Sequence, residues 1–267
     1  MKKNQSVIYS VFMGEHTTWL DLLPGFQSLQ EFLRQYFGRS WSNSFLQKQE
    51  HFTLVPVFMS LFVFLIILMV SLRYRKISED PSFIIPGKKV NFLNITDFIL
   101  HNLENLTYDI SGDRDLTREI FPLIVTIFLF IFTGSMLGMM PGFLPPNSTL
   151  QLNLAMALFV FFYTHYLGIK KHSWRYVKQF TGSNIMLAPL MLPIEILSHL
   201  SRPLSLTVRL LGNLFAEHKV MAIFTALFPL LLPIPFLFLG ILTALIQSLV
   251  FMMLSVVYFS LATAEEH

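Results

Sequence analysis

The sequence contains no cysteine. That excludes disulfides, thiolate metal centres and iron–sulfur clusters. Charge is also scarce: only 13% of the 267 residues are Asp, Glu, Lys or Arg, and the formal net charge is +3. The basic residues are not gathered into a stripe, so no nucleic-acid partner is expected. No G-x-x-x-x-G-K-[ST] loop is present, so the chain is not expected to bind a nucleotide itself. No internal repeat is visible, and no metal or cofactor is called for. What is plentiful is apolar surface. The chain is 54% hydrophobic with 28 Phe and 13 Met, and its mean hydropathy is +0.59, well above an ordinary soluble protein. The N-terminus carries two lysines, but its apolar run is short and broken by Ser10 and Glu15. It reads as a retained segment and not as a cleaved signal peptide.

The apolar runs predict an all-α polytopic membrane protein with about five membrane helices plus an amphipathic interfacial helix. Residues 1–50 form an N-terminal interfacial or extracytoplasmic segment, in which 19–37 suits a helix lying at headgroup depth. Residues 51–267 form a single membrane domain. Its spans are expected at 54–72, 121–140, 150–169, 185–228 and 229–262, a crossing needing about 20 apolar residues. Residues 92–110 repeat apolar positions at helical spacing with acids between them, and suit a surface helix better than a span. Basic clusters adjoin the span ends in 73–120 and 170–182, whereas 141–149 has none. The positive-inside rule therefore puts those two loops in the cytoplasm and the N-terminus outside. The stretch 185–228 is unusual: about 44 residues as one helix would run roughly 65 Å at 1.5 Å per residue. Either it is strongly tilted or it breaks at Pro203.

That same stretch holds Glu195, His199, Arg202, Arg209, Glu217, His218 and Lys219. Charges at membrane depth cost several kcal/mol on most scales, on the order of 3 or more, and mark an ion path or a buried pair. Glu195, Ser198, Arg202, Ser205, Arg209 and Asn213 follow one another at steps of three or four and share one helical stripe. Glu217 lies about 80° round the helix from Arg209, and His218 roughly opposite it. The last run carries a milder stripe of Gly240, Thr243, Gln247 and Tyr258. Gly240 and Ala244 would let two helices approach closely, and Gln247 could then hydrogen-bond across. Taken alone, Arg209 could belong to a structural pair with Glu195 or Glu217. Arg202 and Lys219 suit snorkelling to headgroups. His165 and His172 look like span-end residues and His199 like a satisfied helix histidine.

At these residues a family becomes recognisable. SRPLSLTVRLLGNLFAEH (201–218), followed by ALIQSLVFMMLSVVYFSLATAEEH (244–267), resembles subunit a of F-type ATP synthases. The likeness is strong over 185–267, fair over 120–170 and weak before residue 90. It implies that the last two helices are long, tilted and form a hairpin. It implies that Arg209 is the essential arginine facing a carboxylate on each subunit of a rotating c-ring. It further implies that Glu195, Asn213, Glu217, His218, Gln247 and Tyr258 line two aqueous half-channels. Gly240 stands where some members carry a His or Glu, and Ser135 and Gly138 stand where some carry polar groups. The partners implied are the c-ring, the b subunits of the peripheral stalk, other ATP synthase subunits, the lipid bilayer and protons.

The mechanism implied follows from charge. A ring carboxylate must be protonated to travel through lipid, and an arginine opposite it favours loss of the proton. Arginine stays charged at any working pH. The chain is thus expected to move ions without itself being catalytic for ATP. A sodium-coupled version is the nearest alternative. A secondary transporter would want broken helices in two halves, whereas only one half is charged and Pro-rich. A haem subunit would want histidine pairs stacked across helices, and a purely structural subunit has no use for Arg209. A bacterial plasma membrane is the expected setting, ahead of an organellar inner membrane.

Overall fold

In the computed structural model the described residues are Phe26, Ser28 and residues 55–78, 92–140, 143–172, 188–227 and 233–264. Six long helices run in chain order: α1 (Val55–Ser78), α2 (Phe92–Ser111), α3 (Arg114–Gly138), α4 (Leu150–His172), α5 (Ala188–Leu227) and α6 (Pro233–Thr263). A 3-10 turn at Pro146–Ser148 precedes α4. No strand occurs among the described residues. Among the described residues, four helices are long and apolar enough to cross a membrane: Val55–Lys76, Arg114–Gly138, Leu150–His172 and Pro235–Thr263. The chain is an all-α polytopic membrane protein. α5 is the longest helix at 40 residues, yet it is not among those four. Glu195, Arg202, Arg209, Glu217 and Lys219 interrupt its apolar sequence. Residues 19–37 and the segment 1–50 lie outside the described residues, apart from Phe26 and Ser28. Phe26 is buried, edge-on to Phe58 at 5.5 Å between ring centres.

α6 is the hub. α2, α3, α4 and α5 all pack on it, and α1 stands outside against α3. The core interleaves Ile120, Ile124 and Ile131 of α3, Val160 of α4, Leu210 of α5 and Phe251, Met252, Val256 and Phe259 of α6. α1 shows the opposite character, with Val57, Leu61, Phe62, Phe64, Leu65 and Met69 all exposed. Large apolar side chains exposed around much of a helix suit lipid and not water as the solvent. Hydroxyls inside the bundle close on their own helices: Ser255 donates to the Phe251 carbonyl at 2.8 Å and Thr263 to that of Phe259 at 2.9 Å. Such bonds let polar groups enter an apolar core without a partner elsewhere.

The helix at 92–110 is present as α2, but it is more than a surface element. Its Leu103 and Thr107 are buried against α3 and α6. The α2–α3 corner is fixed by local chemistry. Gly112 adopts φ +68 and donates to the Tyr108 carbonyl at 2.8 Å, an αL cap that side chains disfavour. Asp113 then caps α3, accepting from the backbone N–H groups of Asp115 and Leu116. α5 does not break at Pro203 and stays helical from Ala188 to Leu227. Pro203 itself is buried, so its ring is held by packing. Nearby hydroxyls bond within the same helix, Ser201 to the Ser198 carbonyl at 2.7 Å and Thr207 to that of Pro203 at 2.8 Å. A proline inside a helix costs about 3 kcal/mol, here offset by packing of the buried ring.

Candidate functional site

α5 buries Pro203, Leu206, Thr207, Leu210 and Leu214, a stripe at helical spacing turned to α4 and α6. The opposite stripe, Ser198, Ser205, Arg209 and Asn213, is consequently exposed. Around it stand exposed Leu204, Val208 and Phe215 of α5 and Leu242, Leu245 and Ile246 of α6. Arg209 therefore sits on an apolar outer wall. Among the described residues it has no ion pair, and nothing approaches an added Cβ at neighbouring Gly212 within 4 Å. The side chains of Glu195 and His218 lie outside the described residues, although both positions belong to α5.

One turn beyond Arg209, the Asn213 amide nitrogen donates to the Gln247 side-chain oxygen at 2.7 Å. Gln247 is buried, so the expected hydrogen bond across the last two helices is made by Asn213. Another turn on, Glu217 is half-buried and its carboxylate lies over Gly240 of α6. A Cβ at Gly240 would collide with that carboxylate and with Met139 at the end of α3. The missing side chain on α6 is what leaves room for an acid on α5. The sequence stripe on α6 divides here. Tyr258 stands about 16 Å from Gln247 along the helix axis, beside Arg202 and not Arg209, with the Arg202 guanidinium 5.2 Å from its ring centre. Arg202 and Lys219, expected to reach for headgroups, each lie over an aromatic ring, Lys219 over Phe215 at 5.4 Å.

Two polar groupings that sequence reasoning passed over flank this wall. At the end of the bundle bearing Met139, Asn147 donates to Ser135 at 2.9 Å and Asn153 donates to the Asn147 carbonyl at 2.8 Å. Both asparagines are fully buried, and neither side-chain oxygen has a partner among the described residues. Buried amide oxygens left over in this way are places where water is held. The signal in the sequence was an asparagine three residues inside the uncharged opening run of a helix, preceded by one in the turn PPNST. Gly134 and Gly138 meet Pro146 and Pro145 there, so the turn folds down onto α3. At the other end, His165 of α4 and His199 of α5 face each other with ring centres 5.3 Å apart. The same end gathers the exposed pairs Lys170–Glu119 and Lys171–Asp113, which are worth little energetically in water.

The fold is a helical membrane bundle whose longest described helix turns Arg209 outward, between the polar groupings at its two ends. The family model described as "ATP synthase A chain" matches residues 57–260. The chain is 41% identical over 224 residues to ATP synthase subunit a 1 of Syntrophotalea carbinolica, covering 83% of this chain and 92% of that one. It is 43% identical over 184 residues to subunit a 2 of the same organism, covering 69% and 76%. It is 40% identical over 183 residues to ATP synthase subunit a of Geobacter sulfurreducens, covering 68% and 78%. The chain belongs to the ATP synthase A chain family. It is an ion-translocating subunit of the membrane sector, and other ATP synthase subunits are its partners.

Proposed function

We propose that this chain is the proton-translocating stator subunit, and that Arg209 faces the carboxylate carried by each subunit of a c-ring. One observation carries this reading: Arg209 is exposed on an apolar wall with no counter-charge among the described residues. A guanidinium left against hydrocarbon at that depth costs several kcal/mol, about 3 or more. An acid supplied by a neighbouring subunit removes that cost and loses its own proton on arrival. Asn213 and Gln247 hold α5 to α6 one turn away, which fixes where Arg209 presents its charge. Glu217, with His218 beside it, serves the outer half-channel together with the wet niche at Asn147 and Asn153. Glu195 and Tyr258 serve the half-channel to the cytoplasm. The b subunits of the peripheral stalk hold the chain still, and the bacterial plasma membrane is its setting.

The test is ATP-driven acidification of inverted vesicles carrying the intact complex, with the native chain or with Arg209→Ala. Passive proton leak is then measured after the nucleotide-binding sector is stripped off. Pumping should vanish while leak persists or grows. Pumping that survives the substitution overturns the assignment. Acidification that needs sodium, or is replaced by sodium uptake, assigns the sodium-coupled version.

A further inference from the structure

The His165–His199 contact is not used by the mechanism above. Both rings are half-buried and line a narrow cleft between α4, α5 and α6, with Thr164, Arg202, Leu206 and Tyr258 around them. The rings are tilted at 34°, and Phe161 stands edge-on to His165 at 4.4 Å. Among the described residues, Arg202 of α5 and Tyr258 of α6 face the pair from the packed helices, Lys170 and Lys171 follow on α4 itself, and Glu195 stands one turn before His199 in the sequence of α5. α4 ends one to two turns beyond His165, so the cleft lies at the basic end of the bundle. Along α5, His199 stands about 15 Å before Arg209 at 1.5 Å per residue. Imidazole alone among side chains both gives and takes a proton near neutral pH without outside help. Two imidazoles in contact, beside a fixed guanidinium, hold one proton between them more readily than two, because like charges repel. A single shared proton is the state from which transfer in either direction needs least rearrangement.

We propose that His165 and His199 form a two-imidazole proton relay at the cytoplasmic mouth of the path, passing protons between bulk water and the Arg209 level. In each transfer one ring nitrogen gives up its proton as the facing nitrogen, or a water beside it, accepts one, so the pair ends with the charge it began with. This rests on the proton-translocating reading, and the experiment separates the two. Inverted vesicles with the nucleotide-binding sector stripped off are driven by a valinomycin-clamped potassium potential, which makes passive proton flow measurable. The bathing medium, which faces the cytoplasmic surface, is varied between about pH 6 and 8, the range over which imidazole titrates. In the native chain the flux should follow that titration. In His165→Gln/His199→Gln the flux, normalised to the amount of chain in the membrane, should fall roughly ten-fold near neutrality and lose its pH dependence, since a positioned proton carrier is worth at least that much. An unchanged profile overturns the relay. So does a loss by the same factor at every pH, which marks a structural pair. If the double variant fails to accumulate, the two single variants are read by the same criteria. Should Arg209→Ala behave as expected while the histidine variants match the native chain, the relay falls alone.

Discussion

α3 and α5 are both long, both carry proline inside the helix, and both pack on α6. They solve the problem of polar groups in opposite ways. α3 keeps its charges, Arg114, Asp115, Arg118 and Glu119, in its opening turns. Beyond them its hydroxyls are met within the described bundle, exposed Thr126 bonding the Pro122 carbonyl of its own helix at 2.7 Å and buried Ser135 accepting from Asn147. α5 puts Arg209 and Glu217 deep in its length, and Arg209 on a side that no other described residue covers. α3 satisfies its polar groups within the described bundle, whereas on the proposed reading α5 is finished by a neighbour. The difference teaches where this protein does its work. A helix that satisfies itself is scaffold, and one left unsatisfied at lipid depth is an interface.

Exchanging the two characters gives the largest effect. Ile124 of α3 is fully buried, and Ile124→Arg should destabilise the chain by about 3 kcal/mol or more, because an unpaired charge enters a packed apolar core. Arg209→Leu should leave thermal unfolding of the isolated chain in detergent unchanged, since no contact in the described structure is lost, while proton pumping disappears. Strong destabilisation by Arg209→Leu would show that Arg209 braces the bundle, and the contrast between the helices would collapse.

Gly240 tests how tightly α5 is fitted to α6. Gly240→Val drives a side chain into the Glu217 carboxylate and Met139, and should cost about 1–3 kcal/mol as overpacking. Adding Glu217→Ala should restore part of that loss, a coupling visible in a double-mutant cycle of melting temperatures. Strict additivity would mean that the carboxylate does not occupy the space over Gly240.

The apolar helices were legible because hydropathy is a one-dimensional property. A described helix overlaps each expected apolar segment, Arg73–Lys76 staying helical, but only four of them are long and apolar enough to cross a membrane. The Arg209 stripe and the bond from α5 to Gln247 were legible too, because helical spacing fixes which residues share a face. What escaped depends on how one helix is rotated against another. Nothing in α4 read alone says that His165 meets His199, or that Asn153 reaches the Asn147 carbonyl. Tyr258 was grouped with Gln247 by spacing, yet the bundle assigns it to Arg202. The Pro203 alternatives could not be resolved from sequence, because continuity depends on packing of the proline ring against neighbouring helices.

Asn213→Ala is a milder probe of the same α5–α6 seam. It leaves the buried Gln247 oxygen without its donor and should cost about 1–2 kcal/mol. Asn213→Asp, which removes that donor and brings a charge, should cost more. If Asn213→Ala is silent in detergent melts, the seam is held by apolar packing alone.

The smallest effect belongs to the self-contained side of the comparison. Asp113 caps α3, and the backbone N–H groups of Asp115 and Leu116, aided by Lys171, hold its carboxyl below the usual aspartate range. Burial works weakly the other way. A carboxyl whose folded pKa lies below the unfolded value near 3.9 stabilises the fold fully above that unfolded value. The contribution drains away as pH falls through the depressed folded pKa. Asp113→Ala should therefore lower stability by about 0.5–1 kcal/mol at neutral pH, near the low end for an exposed cap. The gap between the two proteins should narrow to that of a neutral cap once the medium is more acidic than the folded carboxyl's own pKa. Asp113→Asn keeps the accepting oxygen, so it should recover most of the loss at neutral pH and show no acid-dependent change. Equal melting temperatures for all three chains at neutral pH would mean that the α2–α3 corner is fixed by Gly112 and the Ser111–Thr117 hydroxyl contact at 2.7 Å, with the cap adding nothing.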